Sequence, residues 1–549
     1  MKDVDFNLID NPWIKVINSE CEEKEISLLE FFKYAHEFSD FAGELPTQDV
    51  QIMRYINAIM HKVIFQYDLE TGELSLSNNE DTLLSRWCFI WKERKFPYDV
   101  IEKYLERYRD RFWLFHPEYP FMQTPLAKVG TEYSAAKLNG ILSESGNKKK
   151  LFPAVSGERK EIISYAEAAR WLLYVIAYDD TSAKPSGYLR QRKIKTPSPG
   201  VGWLGKLGII TLVGNNLFET VMLNTVLCDI NGNIYNDGKP SWEKDVYDGD
   251  DISKIERVEI IKPDNLPELY TIQSRRILLN RKDEGVDKYY LLGGEFFEKE
   301  NSYIEPMTVW RLKDAKKKTN EFIPKRHDIS KQFWREFANV FPRTNESHRQ
   351  PGVIGWFEQL QEDECIPKNY LLKTRISSVQ YGDKDFFVTN VFTDSLAMNA
   401  ELLYDKKKAW QVAVIDSIDL TNEIAAKIRS LAADVYIAGG GSDDKDSIRT
   451  ASQKAPERYY NIIDKEFKQW LRNINPDEDD IIDVKKDWGH KAKLIAEQVG
   501  DEIIRQAGPA AYIGKEIEKK VYSAAKARID FRNRLAAVLK KGGLTDEKR

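Results

Sequence analysis

From about Thr421 to the end of the chain, apolar residues recur at helical spacing. Ile424, Ile428, Leu431 and Val435 fall at i, i+4, i+7 and i+11, and Gly439-Gly440-Gly441 closes the run. Pro456 opens a second stripe of Tyr459, Ile463, Phe467, Trp470 and Leu471. A third spans about Trp488–Ala507 and stops at Gly508-Pro509, and a fourth runs from about Gly514 to Leu539, ahead of Gly542-Gly543. Long amphipathic helices joined by short links bury their stripes against one another, which predicts a four-helix bundle over residues 401–549.

Upstream the periods mix. FNLIDNPWIKVI reads as a strand with a turn at Asn11-Pro12, and Thr47 opens a helix carrying Ile52, Ile56, Ile59 and Val63 on one side. His61 on that helix reads as a packed structural histidine, and His116, between Phe115 and Pro117, as a packing or turn residue. Ser164 and Glu167 have capping-box spacing before a core-facing run of Ala168, Trp171, Leu172, Val175 and Ile176. KTRISSVQYGDKDFFV, residues 373–388, reads as a hairpin around Gly382-Asp383. The fold expected is therefore α+β, with residues 1–400 a large mixed N-terminal domain followed by the C-terminal bundle.

Charge and cysteine usage exclude several classes. The net charge of −5 argues against a free-standing nucleic-acid binder coated in positive charge, and leaves room for local basic patches inside a larger assembly. The four cysteines, Cys21, Cys88, Cys228 and Cys365, form no CxxC pair, so neither a zinc site nor a disulfide framework is expected. The six histidines are scattered, which leaves few options for metal catalysis. No apolar run reaches ~18 residues, and the opening MKDVDFNLIDNPW lacks a signal-peptide core. The expectation is a cytoplasmic protein without a membrane partner, cofactor, metal or catalytic residue.

The stretch richest in chemistry is Lys184–Asn224. Lys184, Arg190, Arg192, Lys193 and Lys195 lead into Pro197 and Pro199, then Gly200, Gly202, Gly205 and Gly208, and then the apolar run Ile209–Val213. A basic, proline-stiffened loop that feeds glycines brings bare backbone N–H groups close to phosphates or to a groove floor. Gly200-Val201-Gly202-Trp203-Leu204-Gly205 also matches GxGxxG, but Thr196-Pro197-Ser198-Pro199 cannot supply the preceding central strand of a dinucleotide fold. A plain glycine-rich turn is the other reading of the same residues. Lys148, Lys149 and Lys150 beside Phe152 offer phosphate contacts and a ring for stacking, or else a solvated loop anchored by that ring. Lys384 and Asp385 sit at the hairpin tip, which enters a groove or simply turns the chain. Lys519, Lys520, Lys526, Arg528, Arg532 and Arg534 on the last helix track a phosphate backbone or form its solvated face. The acidic runs Asp443-Asp444 and Asp477–Asp480 fall in apparent inter-helix loops without a histidine, which disfavours a metal-dependent nuclease.

Taken in order, FNLIDNPWIKV, LPTQDVQIMRYINAIMHKV, FWLFHPEYPFMQTP, SYAEAARWLLYVIAYDDT, GVGWLGKLGIITLVGNNLFETVMLN, EPMTVWR and KAPERYYNIIDKEF resemble the CasA family over nearly the whole chain. CasA is the large subunit of the type I-E CRISPR surveillance complex, Cascade. The resemblance implies a non-catalytic subunit that works with other Cascade subunits and CRISPR RNA. It implies reading of the protospacer-adjacent motif on double-stranded DNA from the minor groove, help in opening the duplex, and recruitment of a separate helicase-nuclease. Position by position, the family's glycine loop falls within Lys195–Gly202, where this chain carries Thr196-Pro197-Ser198-Pro199. The family's DNA-touching aromatic matches Phe152, and its wedge hairpin matches Gln380–Phe386. Anchored on Tyr381, the wedge position commonly held by glutamine is Asp385 here. Phosphate repels a carboxylate unless it accepts from an exocyclic amine, so Lys384 takes the role or the match shifts to Gln380. A scaffold subunit without direct DNA contact is the reading from another class.

Overall fold

The computed structural model describes residues 4–75, 79–140, 162–181, 188–189, 192–193, 200–229, 231–245, 259–314, 320–341 and 347–543. The chain forms two compact units. One holds Met1–Ile329, Arg343–Ile366 and Thr374–Ser395; the other holds Ser330–Pro342, Pro367–Lys373 and Leu396–Arg549.

The first unit is built around helix α1, Pro46–Gln66. Pro46 fits the first turn, where a missing N–H leaves no intrahelical bond unmade. Ile52, Ile56, Ile59 and Val63 are buried as their spacing predicts, but so are Arg54, Asn57, His61 and Lys62 on the other faces. A helix buried on all sides must pair its polar groups internally. Asn57 Nδ2 donates to Asn224 O at 2.8 Å and Lys62 Nζ to Gly238 O at 2.9 Å. Arg54 makes two bonds to Glu305, at 2.8 and 2.9 Å. His61 packs its ring on Phe65, and burial holds its imidazole down to about 3, so it stays neutral.

Other helices pack against this one, and small sheets complete the unit. Strand β1, Ile14–Asn18, pairs antiparallel with Glu23–Ile26 and Phe38–Phe41. Helix α2, Glu80–Glu93, carries Trp87, whose indole donates to Met222 O. Helix α3, Tyr165–Tyr178, starts where Ser164 Oγ accepts from the Glu167 N–H, and is buried along almost its whole length. Strand β2, Ile209–Val213, lies at one edge of a three-stranded sheet with β3, Leu371–Tyr381, in the middle and β4, Val388–Asn399, beyond it. The β3–β4 hairpin falls where the sequence places it. His116 Nδ1 accepts from the backbone of Glu118 and Tyr119, so it shapes a turn.

In the second unit, α4 (Lys408–Ala438), α5 (Ala455–Asn473), α6 (Ile481–Arg505) and α7 (Ala524–Lys541) form the expected bundle. Its centre is aromatic. Trp488 is fully buried and donates to Thr421 Oγ1 at 3.0 Å, while Trp334, from Ser330–Pro342, stacks on Phe467 at 4.3 Å. A Cβ on Gly500 would lie 2.6 Å from the Phe531 ring, so glycine sets the approach of α6 to α7.

Three expectations change. The last helix begins at Ala524, not near Gly514, because Lys515–Ile517 and Lys520–Tyr522 pair as a hairpin whose turn residues Glu518 and Lys519 are both left-handed. Lys519 and Lys520 therefore leave the helix, and Arg528 and Arg534 bridge to Asp501 and Asp434 across the bundle. Cys88 and Cys365, whose spacing signals no disulfide framework, are joined as a disulfide with their Cα atoms 5.5 Å apart. Among the described residues, no helix is long and apolar enough to cross a membrane.

Replacing Glu305 with alanine leaves the Arg54 guanidinium buried without its carboxylate, a loss of roughly 3–5 kcal/mol. The urea transition of the first unit is expected to move to lower concentration. An unmoved midpoint would show that the pair does not support the fold.

Candidate nucleic-acid interface

One buried arginine ties the start of the glycine segment to the end of α3. Arg275 lies on Arg275–Lys282, fully buried; its Nε donates to Asp179 Oδ2, and its Nη2 donates to Asp180 O at 2.7 Å and Gly200 O at 2.6 Å. The carboxyl end of α3 and the start of the glycine turn are thereby fixed side by side. The guanidinium fork suits this, because several rigid donors serve one carboxylate and two carbonyls at once.

Beyond Gly200 the chain makes one tight turn, Trp203–Lys206, before β2. No long helix follows, in keeping with the exclusion of a dinucleotide fold. Gly200 has φ +82°, and a Cβ placed there meets open space. The other glycines are packing devices. A Cβ on Gly202 would sit 2.2 Å from Ala177 O, and one on Gly205 would sit 2.1 Å from the Tyr381 hydroxyl. Their N–H groups are also engaged: Gly202 donates to Asp179 O and Gly205 to Gly202 O. The expectation of bare N–H groups along this turn therefore fails at Gly202 and Gly205, where the backbone is satisfied internally. Trp203 anchors the turn through its indole, which donates to Glu305 Oε2 at 2.9 Å.

The β3–β4 hairpin tip meets this segment. Gly382 N–H donates to Phe387 O, and the tip between them holds Lys384 (φ 54°) and Asp385 (φ 59°) in the left-handed region. Such residues persist where the surroundings over-determine them, and here they do. Thr181 donates its N–H to Asp385 O at 2.9 Å and its hydroxyl to Lys384 O at 2.7 Å. Arg326 grips the Asp385 carboxylate at 2.9 and 3.1 Å while lying over the Tyr381 ring, and the Tyr381 hydroxyl donates to Tyr178 O at 2.6 Å.

Among the residues expected from the sequence, the structure thus brings Gly200, Gly202, Lys384 and Asp385 to one place through Asp179–Thr181. Asp385 faces an arginine, which answers the repulsion its charge would meet beside phosphate. Lys384 and Phe386 are exposed, and Lys384 has no ion-pair partner among the described residues. Gln380 is exposed on β3, just before the tip. Lys193 lies on a short strand in which Tyr188–Leu189 pairs with Arg192–Lys193. Lys148, Lys149, Lys150, Phe152, Lys195 and Thr196 lie outside the described residues. Sequence reading missed Arg275 and Arg326. The first left a signal, two arginines directly ahead of the apolar run Ile277–Leu279 in the strand RRILLNRK.

These elements define a mixed α+β protein with a helical C-terminal bundle and a loop-built face of glycine turn and hairpin tip. The family model described as CRISPR-associated protein Cse1 matches residues 7–499, and the chain belongs to that family. A CasA/Cse1 protein of Thermus thermophilus is 29% identical over 372 residues, which cover 67% of this chain and 66% of that relative, just under two thirds of its length. The crystal structure of Thermobifida fusca Cse1 superposes with a TM-score of 0.81 at 28% identity, covering 99% of each chain. A chain of a solved CRISPR RNA-guided surveillance complex shares the fold at a TM-score of 0.67 and 15% identity, covering 96% of this chain and 99% of that one.

Arg326→Ala removes the clamp on the tip. Partly exposed pairs contribute up to about 1 kcal/mol, so amide exchange in the peptide covering Thr181 is expected to quicken by about fivefold. Unchanged exchange would mean that the arginine does not hold the tip.

Proposed function

We propose that this chain is the large subunit of a type I-E CRISPR RNA-guided surveillance complex, assembled with the other Cascade subunits and CRISPR RNA. In this reading it recognises the protospacer-adjacent motif on duplex DNA, promotes opening of the duplex there, and recruits a separate helicase-nuclease once the target is bound. Family membership supports the assembly. The observation that carries the DNA reading is the bond pair from Thr181 to Lys384 and Asp385, which ties the glycine turn and the exposed hairpin tip into one firm edge.

The chemistry suits a short, loosely specified motif. The minor groove offers a degenerate hydrogen-bond code, so readout there relies on shape, a cation and an apolar wedge rather than on a full donor–acceptor pattern. Lys384 supplies the cation, Phe386 the exposed ring, and Asp385, neutralised by Arg326, sets their direction. Sequence itself is read by guide pairing. The role assigns no bond-making step to the chain. Among the described residues, no group of three or more His, Cys, Asp or Glu side chains is placed to hold a metal ion.

The test is binding of the assembled complex to duplexes that differ only in the adjacent motif. Lys384→Ala is expected to change the ranking of motifs, with individual affinities shifting by about 5- to 100-fold, the range of a lost base contact. A uniform loss across motifs would remove the readout role from the tip. Binding that ignores both motif and salt would favour a scaffold without DNA contact, because phosphate contacts impose a steep salt dependence.

A further inference from the structure

The first unit holds a cavity of about 100 Å³, lined by Arg111, Tyr119, Phe121, Trp242, Lys244 and Gln273 among others. Its walls are fixed by bonds to the surrounding chain. Phe121 N–H donates to Trp113 O at 2.7 Å, Ser241 N–H to Thr271 Oγ1 at 2.9 Å, and the Trp242 indole to the Tyr104 hydroxyl at 2.8 Å. Gln273 N–H donates to Glu295 Oε2 at 2.8 Å, and the next residue, Ser274, accepts the Trp203 N–H on its hydroxyl at 3.2 Å. The cavity is therefore preformed, as binding sites for small molecules usually are.

Two of its polar side chains keep bonding capacity in reserve. Arg111 Nη1 donates to Lys244 O at 2.9 Å and Nη2 to Ser241 O at 3.4 Å, and no carboxylate among the described residues lies within ion-pair distance of it. Asp245 acts on it from further off. The Gln273 carboxamide makes one contact, from Nε2 to the Met122 thioether at 3.7 Å, a weak acceptor, and its Oε1 has no donor among the described residues.

These features narrow what fits. Two cations and two carboxylates line the cavity, Arg111 and Lys244 against Asp245 and Glu295, so an ion of either sign meets its own charge. An apolar molecule would strip water from Arg111 and Gln273 and give no bond in return. Tyr119, Phe121 and Trp242 suit a flat ring. About 100 Å³ takes one six-membered ring or a few waters, not a fused pair of rings. What remains is a neutral, flat, single ring with a polar edge.

We propose that this cavity takes one pyrimidine base. Its ring carbonyls accept from the N–H groups that Arg111 leaves unbonded. Its edge pairs with the Gln273 carboxamide, which offers a donor on one side and an acceptor on the other. The base belongs to a free nucleoside or to an unpaired position in a strand, and the recognition chemistry is the same for both. The inference does not depend on the DNA-recognition reading above.

The experiment is equilibrium dialysis of the full chain against labelled uridine. One uridine per chain is expected, with adenosine weaker by about tenfold because its fused rings overfill the space. Gln273→Leu is expected to weaken uridine by roughly three- to tenfold, the loss of a neutral hydrogen-bonded pair. The fold has little to lose there, since that side chain holds only a thioether. Uridine and uridine monophosphate are expected to bind alike. No uptake of uridine at millimolar concentration overturns the proposal, as does adenosine bound equally well or an unchanged affinity in folded Gln273→Leu. Binding of the monophosphate without uridine, or displacement of uridine by inorganic phosphate, also overturns it by placing an anion in the cavity. Once uridine binds, a short oligouridylate that Gln273→Leu weakens assigns the base to a strand, and one insensitive to the change assigns it to free nucleosides.

Discussion

Arg54, Glu305 and Trp203 form the contact on which the glycine turn rests. Glu305 is fully buried and accepts both bonds from Arg54, the Trp203 indole and the Met307 N–H. Arg54 completes its surroundings by stacking on Tyr270 at 4.3 Å. A carboxylate in such a place is tolerable only when its lone pairs are filled by good donors. The three partners come from the central helix, from the segment leading to β2's neighbour Met307, and from the glycine turn. Ile210 donates to Met307 O at 2.8 Å, so β2 hangs from the same segment. The turn therefore has a fixed floor.

The same chemistry repeats outward with falling burial. Arg275 and Asp179 fasten the mouth of the glycine segment in the interior. Arg326 and Asp385 fasten the hairpin tip nearer to solvent, with each side chain about a third exposed. Each step pairs a guanidinium, which reaches several acceptors in fixed directions, with one carboxylate. Rigid positioning of an exposed cation and ring follows from this chain of contacts.

Local spacing made much of this architecture legible. The stripes Tyr459–Leu471 and Trp488 onward, the β3–β4 hairpin and the core face of α3 all depend on neighbours a few residues apart. What was not legible depends on distant partners. Arg275 meets Asp179 across 96 residues, and Cys88 meets Cys365 across 277. Trp334 joins the bundle from outside the helical stretch, and no periodicity announces it. The start of α7 was misplaced because the turn at Glu518-Lys519 adopts left-handed backbone without glycine, while the true cue, Ser523 capping Lys526, is one residue. Glycines were visible in number but not in role: only packing against Ala177 and Tyr381 shows that Gly202 and Gly205 are small for closeness.

A structure of the assembled complex on duplex DNA bears most directly on the central claim, that the glycine turn and the hairpin tip act as one edge. The account predicts that the segment from Gly200 and the tip at Lys384–Phe386 both meet the minor groove of the adjacent motif, with the Thr181 bonds between them intact. A duplex that runs elsewhere while this edge faces solvent, or an edge covered by another subunit, would contradict it.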